Sequence, residues 1–121
     1  MCIRDSASAG RLRDRLRELT GVEVGVIVSD TFGRPWRLGI VNVALGVAGL
    51  PALLDLRGSL DGAGKELHAT VLAIADELAA AAGLVMGKTG RTPVVIVRGL
   101  LLQGSGTGRD LLRPAAEDLF R

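Results

Sequence analysis

Apolar residues fall into short runs whose spacing changes along the chain. Leu12, Leu16 and Leu19 recur at i, i+4 and i+7, which predicts an amphipathic helix over residues 8–19. Ser6 or Ser8 is its expected cap, and Gly21 lies just past its end. Val22, Val24 and Val26 then alternate with Glu23 and Gly25 before Ile27 and Val28, so residues 22–28 read as a strand that stops at Ser29-Asp30-Thr31. Residues 40–47 form a second β-like run, weakened by Asn42 and Gly46 and broken by Gly49-Leu50-Pro51. A short apolar element over residues 52–56 leads to the turn-rich Asp61-Gly62-Ala63-Gly64. Leu67, Val71, Ile74, Leu78 and Ala81 recur at helical spacing among alanines, predicting a helix over residues 65–82 that Gly83 interrupts or ends. Residues 93–97 are apolar and β-branched, the pattern of an interior strand. Residues 104–108 read as a loop, and residues 109–113 as a short helix stopped by Pro114. The expected class is α/β or α+β, a mixed sheet with packed helices and no internal repeat.

A chain of 121 residues supports one small domain, and 48% hydrophobic residues exclude a disordered tail. Phe32, Trp36 and Phe120 are the aromatic residues, so the core must be aliphatic. Seventeen glycines are about twice the ~7% average share, which points to tight turns and close backbone approaches. A net charge of +2 gives no ground for nucleic-acid binding. Arg11, Arg13, Arg15 and Arg17 interleave with Asp14 and Glu18, the pattern of a solvated helix face rather than an anion patch. Cys2 stands alone, which excludes a disulfide framework and a cysteine zinc site and fits a reducing cytoplasm. The uncharged stretch over residues 38–54 falls short of the roughly 20 apolar residues that span a bilayer. It reads as protein interior, and no membrane partner is expected.

The densest polar cluster is Ser29-Asp30-Thr31-Phe32-Gly33-Arg34-Pro35-Trp36-Arg37. A carboxylate beside a hydroxyl can ligate Mg²⁺ or Mn²⁺ through oxygen, and Arg34 and Arg37 could clamp phosphate or carboxylate. Equally, Asp30 and Thr31 could cap the next element while the arginines pair with acids. Residues 82–89, ending Met86-Gly87-Lys88-Thr89, satisfy a loose phosphate-loop pattern. A true loop of that kind joins a strand to a following helix, whereas here a helix precedes it and a strand follows. A nucleotide contact by Gly87 and Lys88 in another geometry stays open. Gly104, Gly106 and Gly108 lack dinucleotide-fold spacing. His68 has no second metal-ligating partner, Asp76 and Glu77 diverge on a helix, and no nucleophile–base spacing occurs.

The segment Val28-Ser-Asp-Thr-Phe-Gly-Arg-Pro-Trp-Arg37 resembles the signature of the F420-0:L-glutamate ligase family. The resemblance continues through Asn42-Val-Ala-Leu-Gly46, Asp61-Gly-Ala-Gly-Lys-Glu-Leu67, Ala75-Asp-Glu-Leu-Ala-Ala-Ala81 and Gly87-Lys88. It closes with Pro93-Val-Val-Ile-Val-Arg-Gly99 and Leu112-Arg-Pro114 through Asp118-Leu-Phe120. It implies a ligase that uses GTP and a divalent metal, Mg²⁺ or Mn²⁺, with K⁺ a further expected cation. Such an enzyme activates a carboxylate of coenzyme F420-0 as an acyl phosphate, which the amine of L-glutamate attacks. Asp30 matches the family's metal aspartate, Thr31 a ligand of a second metal, and residues 84–91 a nucleotide-contacting region. That places Met86, Gly87, Lys88 and Thr89 at the nucleotide; Arg34 and Arg37 are assigned as anion contacts from their chemistry alone. The resemblance also implies a cytoplasmic homodimer and an upstream portion carrying further nucleotide contacts and another acidic metal ligand.

On this basis residues 1–4 read as a non-native leader, and residues 5–121 as the C-terminal portion of one ligase domain, inactive alone. A non-catalytic half-domain that associates with a separate chain or with itself is the competing expectation, and a stand-alone nucleotide module a third. The genomic sequence upstream of Asp5 separates the first two: an open frame with an acidic metal motif marks truncation, a stop codon marks a partner.

Overall fold

The computed structural model describes residues 2–118; Met1 of the expected leader and Phe120 of the last matching segment lie outside them. Helix α1 spans Cys2–Thr20, strands β1 and β2 span Val26–Arg34 and Arg37–Ala48, β3 and β4 span Leu54–Asp55 and Val71–Leu72, and helix α2 spans Ile74–Met86. Short 3-10 turns follow at Gly108–Leu111 and Ala115–Glu117. β1 pairs with β2 and β3 with β4, both antiparallel. Helices packed on sheet are the class expected from the sequence, with the sheet built as two antiparallel ribbons.

α1 begins earlier than its leucine spacing predicts, so neither serine caps it. Ser8 Oγ instead donates to the Arg4 carbonyl, 2.9 Å away. Ser6 Oγ accepts from the Gly108 amide at 3.0 Å and the Val47 amide at 3.5 Å, tying α1 to β2 and to the first 3-10 turn. The helix ends at Gly21, whose φ of 69° and amide bond to the Arg17 carbonyl at 2.8 Å form a left-handed terminus. Its arginines meet acids: Arg15 pairs with Glu18, and Arg13 and Arg17 both reach Glu23. This is the solvated face that the alternating charges predict. Ala9, rather than the leucine stripe, is the fully buried contact of α1, while Leu12, Leu16 and Leu19 remain exposed.

The first strand is displaced from residues 22–28. Val26 pairs with Ala48, and β2 ends there; Gly49, at φ 76°, turns the chain away, so residues 22–25 have no ladder partner among the described residues. The ladder runs instead through the polar Ser29-Asp30-Thr31 to Arg34, because each of these residues finds a partner on β2, Ala44 for Ser29, Val43 for Asp30 and Asn42 for Thr31. Pairing overrides local polarity here. Pro35 and Trp36 close the hairpin; Trp36 takes φ 56°, the left-handed second position that such turns require. Arg34 Nη2 braces the turn by donating to the Leu38 carbonyl at 2.8 Å.

Only the second half of residues 38–54 is interior. Ala44, Val47, Leu50 and Ala52 join Ala75 in the core, with Ile27, Leu78, Leu102 and Leu111 packed around them, whereas Leu38 is 98% exposed. The helix expected over residues 65–82 starts only at Ile74. The Leu67 amide bonds to the Ser59 carbonyl and the Thr70 carbonyl accepts from Leu56, so the backbone of that stretch is committed to pairing with residues 56–61. Asp61 Oδ1 accepts from the Ala63 and Lys65 amides, closing the glycine-rich turn. Residues 93–97 form no ladder among the described residues, and Val94 and Ile96 are exposed. Their β-branched composition favours a strand but cannot supply its partner. Among the described residues no helix is long and apolar enough to cross a membrane.

α1 approaches β2 most closely at Gly46, where a Cβ would sit 2.2 Å from the Asp5 carbonyl oxygen. Gly46→Ala should therefore destabilise the chain by about 1–3 kcal/mol, as overpacking does, read as a lower urea midpoint. Asp55 gives a pH signature. Its side-chain bond with Arg57, followed by the Arg57 amide, lowers its pKa from 3.8 to about 2. The pair's contribution is complete above the unfolded value near 4 and is lost as pH falls toward 2. Asp55→Asn should flatten that part of the stability–pH curve, measured by denaturant titration at stepped pH.

Candidate functional site

The hairpin and the C-terminal turns of α2 enclose a cleft of about 260 Å³. Thr31 of β1 and Asn42 of β2 contribute polar groups from the hairpin; Gly83, Gly87 and Lys88 line it from α2 and just beyond. Ile40, Val41 and Ala80 complete an apolar wall.

Two local features position these groups. Thr31 is the direct cross-strand neighbour of Asn42, so the ladder register places hydroxyl and carboxamide together. α2 is anchored at its start by Asp76 Oδ1, which accepts from the Ala44 amide at 2.8 Å. Near its other end Gly83 permits contact, since a Cβ there would lie 3.0 Å from Asn42 Nδ2. Gly87 ends the helix at φ 58° and ψ −165°, its amide bonding to the Gly83 carbonyl at 3.1 Å. That backbone conformation is essentially confined to glycine, and it turns the chain so that Lys88 follows at the cleft.

The sequence-predicted residues separate into four groups. Thr31, Gly87 and Lys88 meet at the cleft. Asp30 lies within β1 opposite Val43 rather than at a strand end. Its Oδ1 accepts from the Thr31 amide at 2.7 Å and the Thr31 hydroxyl at 3.4 Å, and Oδ2 accepts no bond among the described residues. Met86 is the last residue of α2, with its sulfur 3.9 Å from Asn42 Nδ2, and Thr89 is exposed beyond Lys88. Arg34 and Arg37 flank the hairpin turn, roughly 13 Å along the strand from Asp30 at ~3.3 Å per residue. Arg37 is exposed there.

The phosphate-loop pattern over residues 82–89 begins inside α2 and passes out of its C-terminal end. No helix N-terminus faces Lys88, so the geometry of a P-loop is absent among the described residues. His68 is exposed, 3.9 Å from Glu66. Asp76 holds the sheet and Glu77 is exposed, so the two do not form an acid–base pair. Residues 104–107 are a loop, as the glycine spacing indicated, and Gly108 opens the 3-10 turn that follows. Asn42 and Asp76 are the residues that sequence reasoning missed. A lone carboxamide inside Ile40-Val-Asn-Val-Ala44 was the available signal for the first; nothing in the sequence marks the second.

Asp30 and Thr31 are hard oxygen donors suited to Mg²⁺ or Mn²⁺, which commonly take one or two protein carboxylates and complete their shell with water and phosphate. Among the described residues no group of three or more His, Cys, Asp or Glu side chains converges, so the pair fits part of such a shell.

Residues 4–99 match the family described as F420-0:Gamma-glutamyl ligase. The coenzyme F420:L-glutamate ligase of Methanocaldococcus jannaschii is 52% identical over 116 residues, covering 94% of this chain and 47% of the relative. The enzymes of that name from Methanopyrus kandleri and Archaeoglobus fulgidus are 50% and 47% identical over the same 94% of the chain, which covers 48% and 46% of their lengths. The chain thus spans about half the length of the curated relatives it matches. These matches, which run through the hairpin motif and the turn bearing Lys88, establish that the chain belongs to the F420-0:gamma-glutamyl ligase family.

Proposed function

We propose that this chain carries the Asp30–Thr31 and Lys88 portion of a ligase that joins L-glutamate to coenzyme F420-0 at the expense of GTP. The observation that carries the proposal is the meeting of Thr31 with Gly87 and Lys88 on one cleft, from segments far apart in a sequence that belongs to the ligase family. In the proposed reaction a carboxylate oxygen of F420-0 attacks the γ-phosphorus of GTP, forming an acyl phosphate and releasing GDP. The amine of L-glutamate then attacks the acyl carbon; the C–N bond forms, the C–O bond to phosphate breaks, and the amine loses its proton. A divalent cation held by Asp30 and Thr31 supplies charge neutralisation for the triphosphate.

The residues of the chain serve that chemistry by position. Lys88 brings an ammonium to the phosphates, with Met86, Gly87 and Thr89 forming the turn that presents it. Arg37, and Arg34 through the part of its guanidinium not bound to Leu38, are the proposed contacts for phosphate or carboxylate at the hairpin turn. Further ligands and nucleotide contacts come from sequence outside this chain, which is inactive alone. The complete enzyme is a cytoplasmic homodimer that needs Mg²⁺ or Mn²⁺, with K⁺ as an additional cation.

In the full-length protein, Asp30→Asn should lower glutamate addition at saturating GTP by more than about 100-fold, the upper end of what disturbing a metal's surroundings costs. Its circular dichroism should stay unchanged. Near-wild-type turnover with Mg²⁺ or Mn²⁺, followed by mass spectrometry of the glutamylated product, would remove Asp30 from the metal site. Lys88→Ala should weaken GTP binding by about 10- to 100-fold, the range for a hydrogen bond to a charged group, measured calorimetrically. An unchanged dissociation constant would exclude Lys88.

A further inference from the structure

Asn42 stands on the cleft with hydrogen-bonding capacity to spare. It interrupts an apolar strand, lies half-buried on the cleft, and shares its cross-strand position with Thr31. Its one hydrogen-bond partner among the described residues is the Met86 sulfur, reached from Nδ2 at 3.9 Å, and a thioether is a weak acceptor. The half-buried carboxamide therefore has hydrogen-bonding capacity that a ligand in the cleft could complete. α2 approaches this group with a glycine: a Cβ at Gly83 would crowd the Asn42 side chain at 3.0–3.1 Å. The donor end of the amide thereby faces the last turn of α2, next to Gly87 and Lys88.

That location carries an electrostatic problem. The C-terminal end of a helix presents carbonyls and a partial negative charge, which disfavours a phosphate where Lys88 stands. Anion binding at this end requires N–H donors and cations to outweigh the helix end. Lys88 is one such group, and the Asn42 amide, aimed at the same turn, is the second that the cleft contains.

We infer, resting on the nucleotide role proposed for this cleft, that Asn42 is a binding residue whose Nδ2 donates to a phosphate oxygen of the nucleotide that Lys88 holds. In the full-length protein, Asn42→Ala should raise the GTP dissociation constant about tenfold, the loss of one hydrogen bond to a charged group. Asn42→Asp preserves size but sets a carboxylate against the phosphates, and should raise it further. KM for GTP should rise in both while kcat at saturating GTP changes little in Asn42→Ala, and thermal midpoints should stay near wild type.

Isothermal titration with GTP and Mg²⁺, run beside Lys88→Ala, separates the outcomes. Wild-type GTP affinity in both Asn42 variants, with Lys88→Ala weakened, overturns the role of Asn42 and leaves the cleft's nucleotide role standing. Wild-type affinity in all three removes the nucleotide from this cleft and the inference with it. A lowered thermal midpoint with unchanged GTP affinity makes Asn42 a packing residue and also overturns the inference. Should Asn42→Ala fail to fold, Asn42→Asp carries the same comparison.

Discussion

The register of the β1–β2 hairpin is the constraint on which the candidate site depends. Thr31 faces Asn42 and Asp30 faces Val43 because the strands pair from Val26–Ala48 outward, with irregularities at Val28/Ser29 and Gly33/Arg34. Side chains alternate across a strand, so a slip of one residue would exchange the faces of Asp30 and Thr31 and take the threonine out of the cleft. The register is held at one end by the Pro35–Trp36 turn and its Arg34 brace. At the other end, Val47 and Ala44 are committed to the core. A slip would expose both. Burial at one end of β2 thus specifies chemistry at the middle of β1.

The packing that fixes this ribbon relies on small residues. Ala9, Ala44, Ala52, Ala75 and Ala79 are buried with Val47 and Leu50. Such a core gains less from each residue's burial than one built of large side chains, but it lets backbones lie close together. Gly46 admits the start of α1, and Gly83 admits Asn42 against α2. Hydrogen bonds from short side chains then fix directions: Ser6 links α1 to β2 and the distant Gly108, while Asp76 links α2 to Ala44. Close approach and short polar links fasten α2 to β2, and Lys88 follows two residues past the helix end, beyond the Gly87 turn.

Much of this was legible in the sequence, and the errors share a cause. Periodicity found α1, the apolar run of β2, the later part of α2 and the loop at residues 104–107, because each presents a regular face or a clear turn. It misplaced β1, because the polar Ser29-Asp30-Thr31 looks like a strand end until its partner is known. It extended α2 backward over residues 65–73, whose leucine and valine spacing is helical but whose backbone pairs with residues 54–61. It named residues 93–97 as an interior strand from composition, which reports a preference for pairing and not the presence of a neighbour. Of the residues lining the cleft, Thr31, Gly87 and Lys88 were named from the sequence, while Asn42 became visible only when the register set it beside Thr31.

The arrangement around Lys88 shows why a motif needs its context. Residues 82–89 have the spacing of a phosphate loop, yet the helix meets the cleft with its carbonyl end. In a true P-loop the backbone amides and the positive end of the helix supply attraction, and the lysine adds to it. Here the helix end opposes an anion, so attraction must come from side chains and from a cation. Lys88 stands at the cleft with its charge and Asn42 with a donor, while the oxygen pair Asp30–Thr31, proposed to hold a divalent ion, lies on the hairpin. A triphosphate carries enough negative charge to need such an ion in any protein environment. At the carbonyl end of a helix that need is greater, which is the physical ground for the cation proposed beside Lys88; Thr31 lines the cleft, while Asp30 bonds to Thr31 from the neighbouring position of β1.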